Sequence, residues 1–165
     1  MIAFIPMAIG HRIESLVIES LLKQRVGIDI APCMTPKLPI KLEGELNSRN
    51  LIRGILENSH YSEEFVVVQD SDMVHLFDTN LIRCIDYLLN NPNFAGVALP
   101  AKMGGHLKHQ SSVWRTSFMR SYVWNTNTVR NHICPNLKTD VEKAGMGYDF
   151  LPTDKPLVKE IKRKP

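Results

Sequence analysis

The sequence has 165 residues, which is the length of one domain and enough to bury a substantial core. Hydrophobic residues make up 44% and charged residues 22%, and this composition excludes a disordered or fibrous chain. The net charge of +3 is mild, so we expect no nucleic-acid partner. Length and composition together predict a single globular domain over residues 1–165.

The cysteines and the first residues bear on the cellular compartment. The three cysteines are widely spaced and form neither a Cys-x-x-Cys pair nor a zinc-like cluster. Residues 1–7 are apolar, but they lack a basic region and are interrupted by Pro6, unlike a signal peptide. No window approaches the roughly 18 apolar residues of a membrane span. We therefore expect a cytoplasmic protein.

The first third of the chain predicts two strands and a helix. Residues 2–5 have the apolar pattern of a buried strand, which Pro6 should end because proline cannot donate to a sheet ladder. A helix should follow, with its apolar residues at helical spacing. These residues are Ile13, Leu16, Val17 and Leu21. Residues 26–30 predict the second strand, and the loop after it contains Pro32, Pro36 and Pro39.

The middle of the chain continues this alternation. A second helix is predicted from Leu51, Ile52, Ile55 and Leu56. Residues 65–68 form an uninterrupted apolar run, typical of a strand buried on both faces. A third helix should begin after Asp78 as N-cap and end at residues 90–92, with residues 95–99 as the next strand. Its apolar face is Leu81, Ile82, Ile85, Leu88 and Leu89.

This order of elements predicts an α/β fold. Strands that alternate with helices form a mostly parallel sheet with helices on both faces, because crossover connections are right-handed. After Pro100 the pattern weakens, and residues 112–124 do not divide into strand and helix. Residues 139–144 predict one or two helical turns, and residues 148–151 predict a short strand.

Two aspartates stand directly after the central predicted strand. Ligands of open α/β sheets bind outside the carboxyl ends of the strands, where Asp70 and Asp72 are expected. Being separated by one residue, both carboxylates can face one ion. Hard oxygen ligands in this arrangement suit Mg²⁺ or Mn²⁺, especially an ion that also binds substrate phosphates. The alternative is an ordinary turn with two solvated aspartates.

Three landmarks in this order resemble the GT-A glycosyltransferases, particularly the large inverting family that uses nucleotide-diphosphate sugars. Residues 4–6 and 18–24 are similar to that family's first strand and helix. Ser48-Arg49-Asn50 matches its Ala-Arg-Asn at a helix start, and residues 67–72 resemble its Asp-x-Asp strand. The resemblance covers roughly residues 1–100.

The resemblance implies a Rossmann-like GT-A domain that transfers a sugar from a nucleotide-diphosphate sugar. It implies a nucleotide-sugar-binding half over residues 1–100 and an acceptor-side half with a basic tail over residues 101–165. Asp70 and Asp72 would hold Mn²⁺ or Mg²⁺ against the diphosphate, and Arg49 has the planar fork suited to phosphate oxygens. The implied donor-binding residues are Pro6, Arg49, Asn50, Asp70, Ser71 and Asp72. The acceptor, a glycan, lipid or protein, is not identified by the sequence.

Two positions depart from the family pattern. Residues 31–34 read Ala-Pro-Cys-Met where the family usually has Asp-Asp-Gly-Ser. Cys134-Pro135 stands about where the family's catalytic base is expected. Asp140 follows some residues later and is our candidate for the base that deprotonates the acceptor hydroxyl.

Other polar and aromatic residues have both a functional and an ordinary interpretation. A histidine could complete the metal site, although surface or packed histidines are more common; the candidates are His106, His109 and His132. Trp114 and Trp124 are suited to stack on a sugar ring or to fill the core. The last eleven residues are rich in lysine and arginine, which suits peripheral contact with an anionic membrane as well as a solvated terminus.

Two other functions agree with the same strand. A haloacid-dehalogenase-type phosphatase also has an apolar strand followed by Asp-x-Asp, but that fold carries its motif on the strand nearest the amino terminus. Here 69 residues precede Asp70. A non-catalytic nucleotide-sugar-binding domain that has kept the fold and lost the base is the second alternative.

Overall fold

The computed structural model describes residues 2–7, 14–29, 62–102, 111–121 and 137–162. Within these ranges the strands are β1 (Ile2–Met7), β2 (Ile28–Asp29), β3 (Phe65–Asp70), β4 (Met73–His75), β5 (Phe94–Ala98), β6 (Ser111–Arg115), β7 (Gly147–Phe150) and β8 (Val158–Glu160). The helices are α1 (Ser15–Leu22), α2 (Asn80–Asn90), α3 (Thr116–Ser121) and α4 (Leu137–Lys143).

Six of these strands form one mixed sheet in the order β2-β1-β3-β6-β5-β7. β1 pairs in parallel with β2 and β3, and β5 pairs in parallel with β7. β6 is antiparallel to both of its neighbours, β3 and β5. The predicted α/β class is therefore confirmed, whereas the sheet is mixed because the unassigned stretch after Pro100 contributes a reversed strand to its centre.

β3 is the central strand, as the apolar run predicts. Val66, Val67 and Val68 are fully buried, and Phe65 is 4% exposed. On one face, Val67 belongs to a cluster with Leu21 of α1 and Leu88 of α2. On the other face, Val66 lies beside Trp114, whose ring stacks on Phe118 of α3. Residues of α1 and α2 therefore pack on one face of the sheet, and α3 packs beside β6 on the other.

Proline is accommodated inside β1, contrary to the prediction that Pro6 ends the strand. Pro6 pairs in register with Gln69 of β3. β2 pairs only with Ile2 and Ala3, so the strand has one neighbour at Pro6 among the described residues. A strand that is an edge at that point loses no ladder hydrogen bond to proline.

In two helices the predicted apolar face includes side chains that the structure exposes to solvent. Leu16 of α1 is 54% exposed, and Leu89 of α2 is 54% exposed. Ile82 is also exposed, at 37%. Each of these side chains lies one position away from a residue that does face the core, and a helix packed on one side buries a narrower stripe than its apolar composition suggests.

Asp78 is not the N-cap of α2. The capping position is Thr79, and the Asp78 carboxylate instead accepts a hydrogen bond from Arg25 at 2.7 Å. The predicted stop is correct, because α2 ends at Asn90 with Asn91 as its C-cap. The next predicted strand and the last predicted strand are also confirmed, as β5 and β7.

A second, two-stranded sheet was not expected from the sequence. β4 pairs antiparallel with β8, and Met73 lies opposite Glu160. Met73 of β4 and Val158 of β8 are fully buried in the core cluster. This small sheet brings the C-terminal part of the chain against the residues that follow β3.

Several predictions lie outside the described residues. They concern the proline loop, the second helix, both family departures, Trp124, and the three candidate histidines. Arg49 and Asn50 are also outside. Within the described part of the chain, no helix is both long enough and apolar enough to cross a lipid bilayer.

Candidate functional site

A tight turn at the carboxyl end of β3 holds both aspartates of the motif. Asp70 is the last residue of β3 and pairs with Met7 of β1, so it lies within the strand and not after it as predicted. Ser71 and Asp72 form the two-residue turn that leads into β4. The motif is therefore fixed between two strands of different sheets.

Backbone hydrogen bonds hold this turn from two sides. The Glu14 amide, just before α1, donates to the Ser71 carbonyl at 3.3 Å. The Ile161 amide, just after β8, donates to the Asp72 carbonyl at 2.8 Å. Ser71 is buried, and its Oγ has no hydrogen-bond partner among the described residues. The turn is thus positioned by its own strand and also by Ile161, which lies about 90 positions later in the chain. The pairing of β4 with β8 brings these distant residues together.

A polar cleft opens beside Asp72. Its volume is about 540 Å³, and its described lining is Asp72, Glu160, Ile161 and Lys162. This volume is within the range of small-molecule sites, which are typically about 300–1,000 Å³. Asp72 is 9% exposed, so it presents a small part of its surface to the cleft, while Lys162 contributes a positive charge and Glu160 a negative charge to the lining.

The described residues fit a divalent ion that is shared with a substrate. They contain no group of three or more His, Cys, Asp or Glu side chains that could form a dedicated metal cage. Mg²⁺ needs no such cage, because it commonly keeps several waters and binds one or two carboxylates together with substrate phosphates. Asp70 and Asp72 are two such carboxylates, one residue apart on a fixed turn. Without phosphate oxygens, a metal ion at this turn would have only these two carboxylates as protein ligands in the described part of the chain and would bind weakly.

Four buried polar side chains lie behind the turn; we call them the buried polar cluster. They are Gln69, His75, Asn80 and Ser111. Gln69 Nε2 donates to the Met73 carbonyl at 2.7 Å, and Gln69 Oε1 is 2.8 Å from His75 Nε2. Ser111 Oγ donates to Gln69 Oε1 at 2.9 Å. Asn80 Nδ2 lies 3.3 Å from His75 Nδ1.

His75 is uncharged in this surrounding. It is 7% exposed, and burial lowers its pKa from 6.5 to about 4. Desolvation disfavours the imidazolium form, and the neighbours that contact the ring are amides without charge. At neutral pH, His75 therefore acts as a neutral hydrogen-bonding residue.

Asp140 lies on a different part of the sheet. It is in the first turn of α4, which packs against β7, and it is partly buried. β7 is three strands from β3 in the sheet, which corresponds to roughly 14 Å at the usual spacing of about 4.8 Å. Lys138 of α4 pairs with Asp149 near the end of β7, so α4 runs antiparallel to that strand. The structure places Asp140 beside β7, three strands from β3, and its role as base stays a prediction.

Other predicted residues are distributed as follows. Pro6 lies next to Gln69 in the adjacent strand, which places the β1 backbone beside the motif. Trp114 is 1% exposed and stacks on Tyr148, so it fills the core and does not present a sugar-stacking face. Sequence reasoning missed Gln69 and His75. Each had a signal in the sequence. Gln69 is a polar residue that continues an apolar strand, and His75 lies two positions after Met73, so both side chains face the same side of a strand.

Comparisons with known proteins support the fold. No protein-family model and no curated protein sequence matches the chain. The structure is similar to the crystal structure of S. aureus TarS 1-349, with a TM-score of 0.55 and 13% sequence identity. The similarity covers 96% of this chain and 59% of the TarS chain. TarS is a glycosyltransferase.

The chain has a glycosyltransferase-like fold. At this level of identity the similarity is one of fold, and the chain spans somewhat more than half of the TarS structure that it matches. The mixed α/β sheet with its central β3 is consistent with this result. The resemblance to glycosyltransferases is thereby supported at the level of the fold, and the specific family stays a prediction.

Proposed function

We propose that this protein is a metal-dependent glycosyltransferase of the GT-A type, which transfers a sugar from a nucleotide-diphosphate sugar to an acceptor. The observation that carries the proposal is the position of Asp70 and Asp72. Asp70 is the last residue of the central strand and Asp72 lies in the turn that follows it, in a chain with a glycosyltransferase-like fold. This edge is where α/β sheets bind their ligands.

The proposed donor site combines the turn with the adjacent cleft. Asp70 and Asp72 would hold Mn²⁺ or Mg²⁺ against the diphosphate, and the ion supplies positive charge that stabilises the leaving diphosphate. Lys162 lines the cleft beside Asp72 and is our candidate for a direct contact to a phosphate oxygen. Pro6, Ser71, Arg49 and Asn50 remain part of the proposed donor site.

The protein's own residues have two tasks in this proposal. The turn must keep two carboxylates oriented toward one point, which the anchoring bonds from Glu14 and Ile161 favour. A general base must accept the proton of the acceptor hydroxyl as the sugar is transferred, and Asp140 is our candidate. The acceptor would be a glycan, lipid or protein, and the basic C-terminal tail is suited to an acceptor at an anionic membrane surface.

A thermal-shift panel of nucleotide-diphosphate sugars tests the proposal. Each compound is added with Mn²⁺, with Mg²⁺ or with the chelator EDTA. A ligand that binds only the native protein raises the midpoint of unfolding by mass action. We expect at least one donor to raise the midpoint in a metal-dependent manner. The absence of any donor-dependent shift across the panel, with intact folded protein, would reject the proposed function.

A further inference from the structure

The Gln69 side chain connects the two ends of the aspartate turn. Gln69 directly precedes Asp70, and its Nε2 donates to the Met73 carbonyl at 2.7 Å. Asp70, Ser71 and Asp72 are the only residues between these two positions in the chain. This hydrogen bond therefore closes a loop around the motif.

The Met73 carbonyl fixes the orientation of the Gln69 amide, because a carbonyl oxygen can only accept a hydrogen bond. Ser111 Oγ donates to Gln69 Oε1 at 2.9 Å, and His75 Nε2 lies 2.8 Å from the same oxygen. With the amide reversed, its oxygen would face the Met73 carbonyl and its NH₂ would face the donor on His75. Only the present orientation satisfies all three partners.

The same bonds define the tautomer of His75. Nε2 must carry the proton because it faces an oxygen that accepts, so Nδ1 is free to accept from Asn80 Nδ2 at 3.3 Å. Asn80 Nδ2 also donates to the Leu157 carbonyl at 2.6 Å, just before β8. The buried polar cluster thus joins β3, β4, β6 and α2 to the segment that leads to Glu160 and Lys162 on the cleft wall.

Stability alone does not account for the cluster. Asn80 is fully buried, and its Oδ1 has no hydrogen-bond partner among the described residues. An unsatisfied buried acceptor is costly, and well-packed apolar residues of similar shape are often at least as stable. A polar cluster with this cost, placed directly behind a candidate metal turn, indicates a role in orienting that turn.

We propose that Gln69, held in orientation by His75 and Ser111, is a positioning residue that sets the geometry of Asp70 and Asp72 for a divalent ion. The inference rests on the proposed function, because it assumes that the turn binds such an ion. Residues behind metal ligands act in this way generally, and their substitution typically lowers metal affinity or activity roughly 10- to 100-fold.

Two adjacent serines provide a matched test. Ser111 and Ser112 are neighbours on β6, and both are fully buried. Ser111 donates to Gln69, whereas Ser112 accepts a hydrogen bond from Trp114 Nε1 at 2.8 Å. Mn²⁺ affinity is measured in the presence of a nucleoside diphosphate by electron paramagnetic resonance of the free ion, with a protein-free control for binding to the nucleotide itself, and the unfolding midpoint is measured in parallel. We expect Ser111→Ala to weaken Mn²⁺ binding about tenfold and Ser112→Ala to leave it within about twofold, because residues that hydrogen-bond behind a metal site typically change affinity on this scale.

Substitutions of His75 and Gln69 provide the second arm. His75→Gln keeps a donor toward Gln69 Oε1, whereas His75→Leu removes it. We expect Mn²⁺ affinity near wild type in His75→Gln and a loss of roughly tenfold or more in His75→Leu and Gln69→Leu. If a leucine variant does not fold, the two serine variants decide the question.

The possible results separate this inference from the proposed function. Wild-type protein that binds no Mn²⁺ in the presence of the nucleoside diphosphate overturns the metal site and this inference together. Wild-type protein that binds Mn²⁺, with equal effects from Ser111→Ala and Ser112→Ala, overturns the positioning role and leaves the metal site intact. A selective loss in Ser111→Ala supports both.

Discussion

Trp114 and Tyr148 stack with ring centroids 4.5 Å apart, although they lie on strands that are not adjacent. Trp114 is on β6 and Tyr148 is on β7, and Gly96 of β5 pairs in register with both. The absence of a side chain at Gly96 leaves the space in which the rings meet. The stacking of Trp114 on Tyr148 therefore depends on that glycine.

Gly96→Ala should therefore destabilise the protein. A Cβ at this position would lie 2.5 Å from Trp114 Cε3 and 3.0 Å from the Val113 carbonyl oxygen. Overpacking of this kind typically costs about 1–3 kcal/mol of unfolding free energy. Urea denaturation measures the loss. Combining Gly96→Ala with Trp114→Phe should recover part of it, and strictly additive effects would show that the two residues do not interact.

Asp70→Asn and Asp72→Asn should each abolish Mn²⁺-dependent donor binding. Each substitution removes one negative charge from a site whose attraction for the ion depends on carboxylate charge. Asp78→Asn is the matched control, because Asp78 is a nearby surface carboxylate whose ion pair with Arg25 is exposed. Calorimetry with Mn²⁺ and the donor found in the thermal-shift panel measures the effect.

Equal affinities in the wild type and in all three aspartate variants would contradict the metal site. The phosphatase alternative has its own signature, because Asp70 would then be a nucleophile trapped by beryllium fluoride. Mass spectrometry after incubation with a phosphate donor would reveal the acyl phosphate. We expect neither the adduct nor the phosphorylated protein.

Lys162→Gln should weaken donor binding by about 1.5–3 kcal/mol if the ammonium contacts a phosphate oxygen, which is the scale of a hydrogen bond to a charged group. Lys159→Gln is the control: Lys159 is exposed on β8, but it is not among the described residues of the cleft. Affinity is compared at low and high salt. A similar loss in both variants would indicate a general effect of charge and not a contact in the cleft.

Asp140→Asn should lower turnover roughly 10²- to 10⁴-fold and leave donor affinity unchanged, if Asp140 is the general base. Glu142→Gln on the same helix is the control, since Glu142 is exposed. Because α4 packs beside β7, the position of Asp140 does not by itself assign the role of base, and turnover must be measured. Wild-type turnover in Asp140→Asn would transfer the role to another residue.

The neutral state of His75 predicts a pH dependence of stability. The folded pKa is lowered to about 4, whereas the unfolded chain takes up the proton near 6.5. Stability from this residue is complete above pH 6.5, falls between pH 6.5 and 4, and is constant below. The shift corresponds to about 3 kcal/mol at the lower limit. His75→Gln should lose this part of the pH dependence; an unchanged profile in urea denaturation would assign it to other groups.

Much of the central part of the fold could be predicted because its causes are local. An apolar run such as residues 65–68, short and rich in valine, favours a buried strand, and the helical spacing of Leu81 and Leu88 identifies α2. The position of Asp70 and Asp72 at the end of that strand follows from chain order alone. The candidate metal turn was therefore visible in the sequence.

The reversed strand β6 and the small sheet of β4 and β8 could not be predicted. Both are defined by pairing between distant segments, and neither segment has a distinctive period. β6 is inserted between β3 and β5 although it follows both in the chain. A short strand is stabilised mainly by its neighbours, so its own sequence carries little signal.

The amino-acid sequence by itself determined the α/β class, the buried strand and the two carboxylates that follow it, because hydrophobic periodicity and chain order are properties of neighbouring residues. Only the tertiary structure decided what surrounds those carboxylates. Ser111 reaches Gln69 across 42 positions, and Asn80 reaches the Leu157 carbonyl across 77. Hydrogen bonds over such separations form only after the sheet and α2 have packed, since packing brings the partners together and removes the competing water.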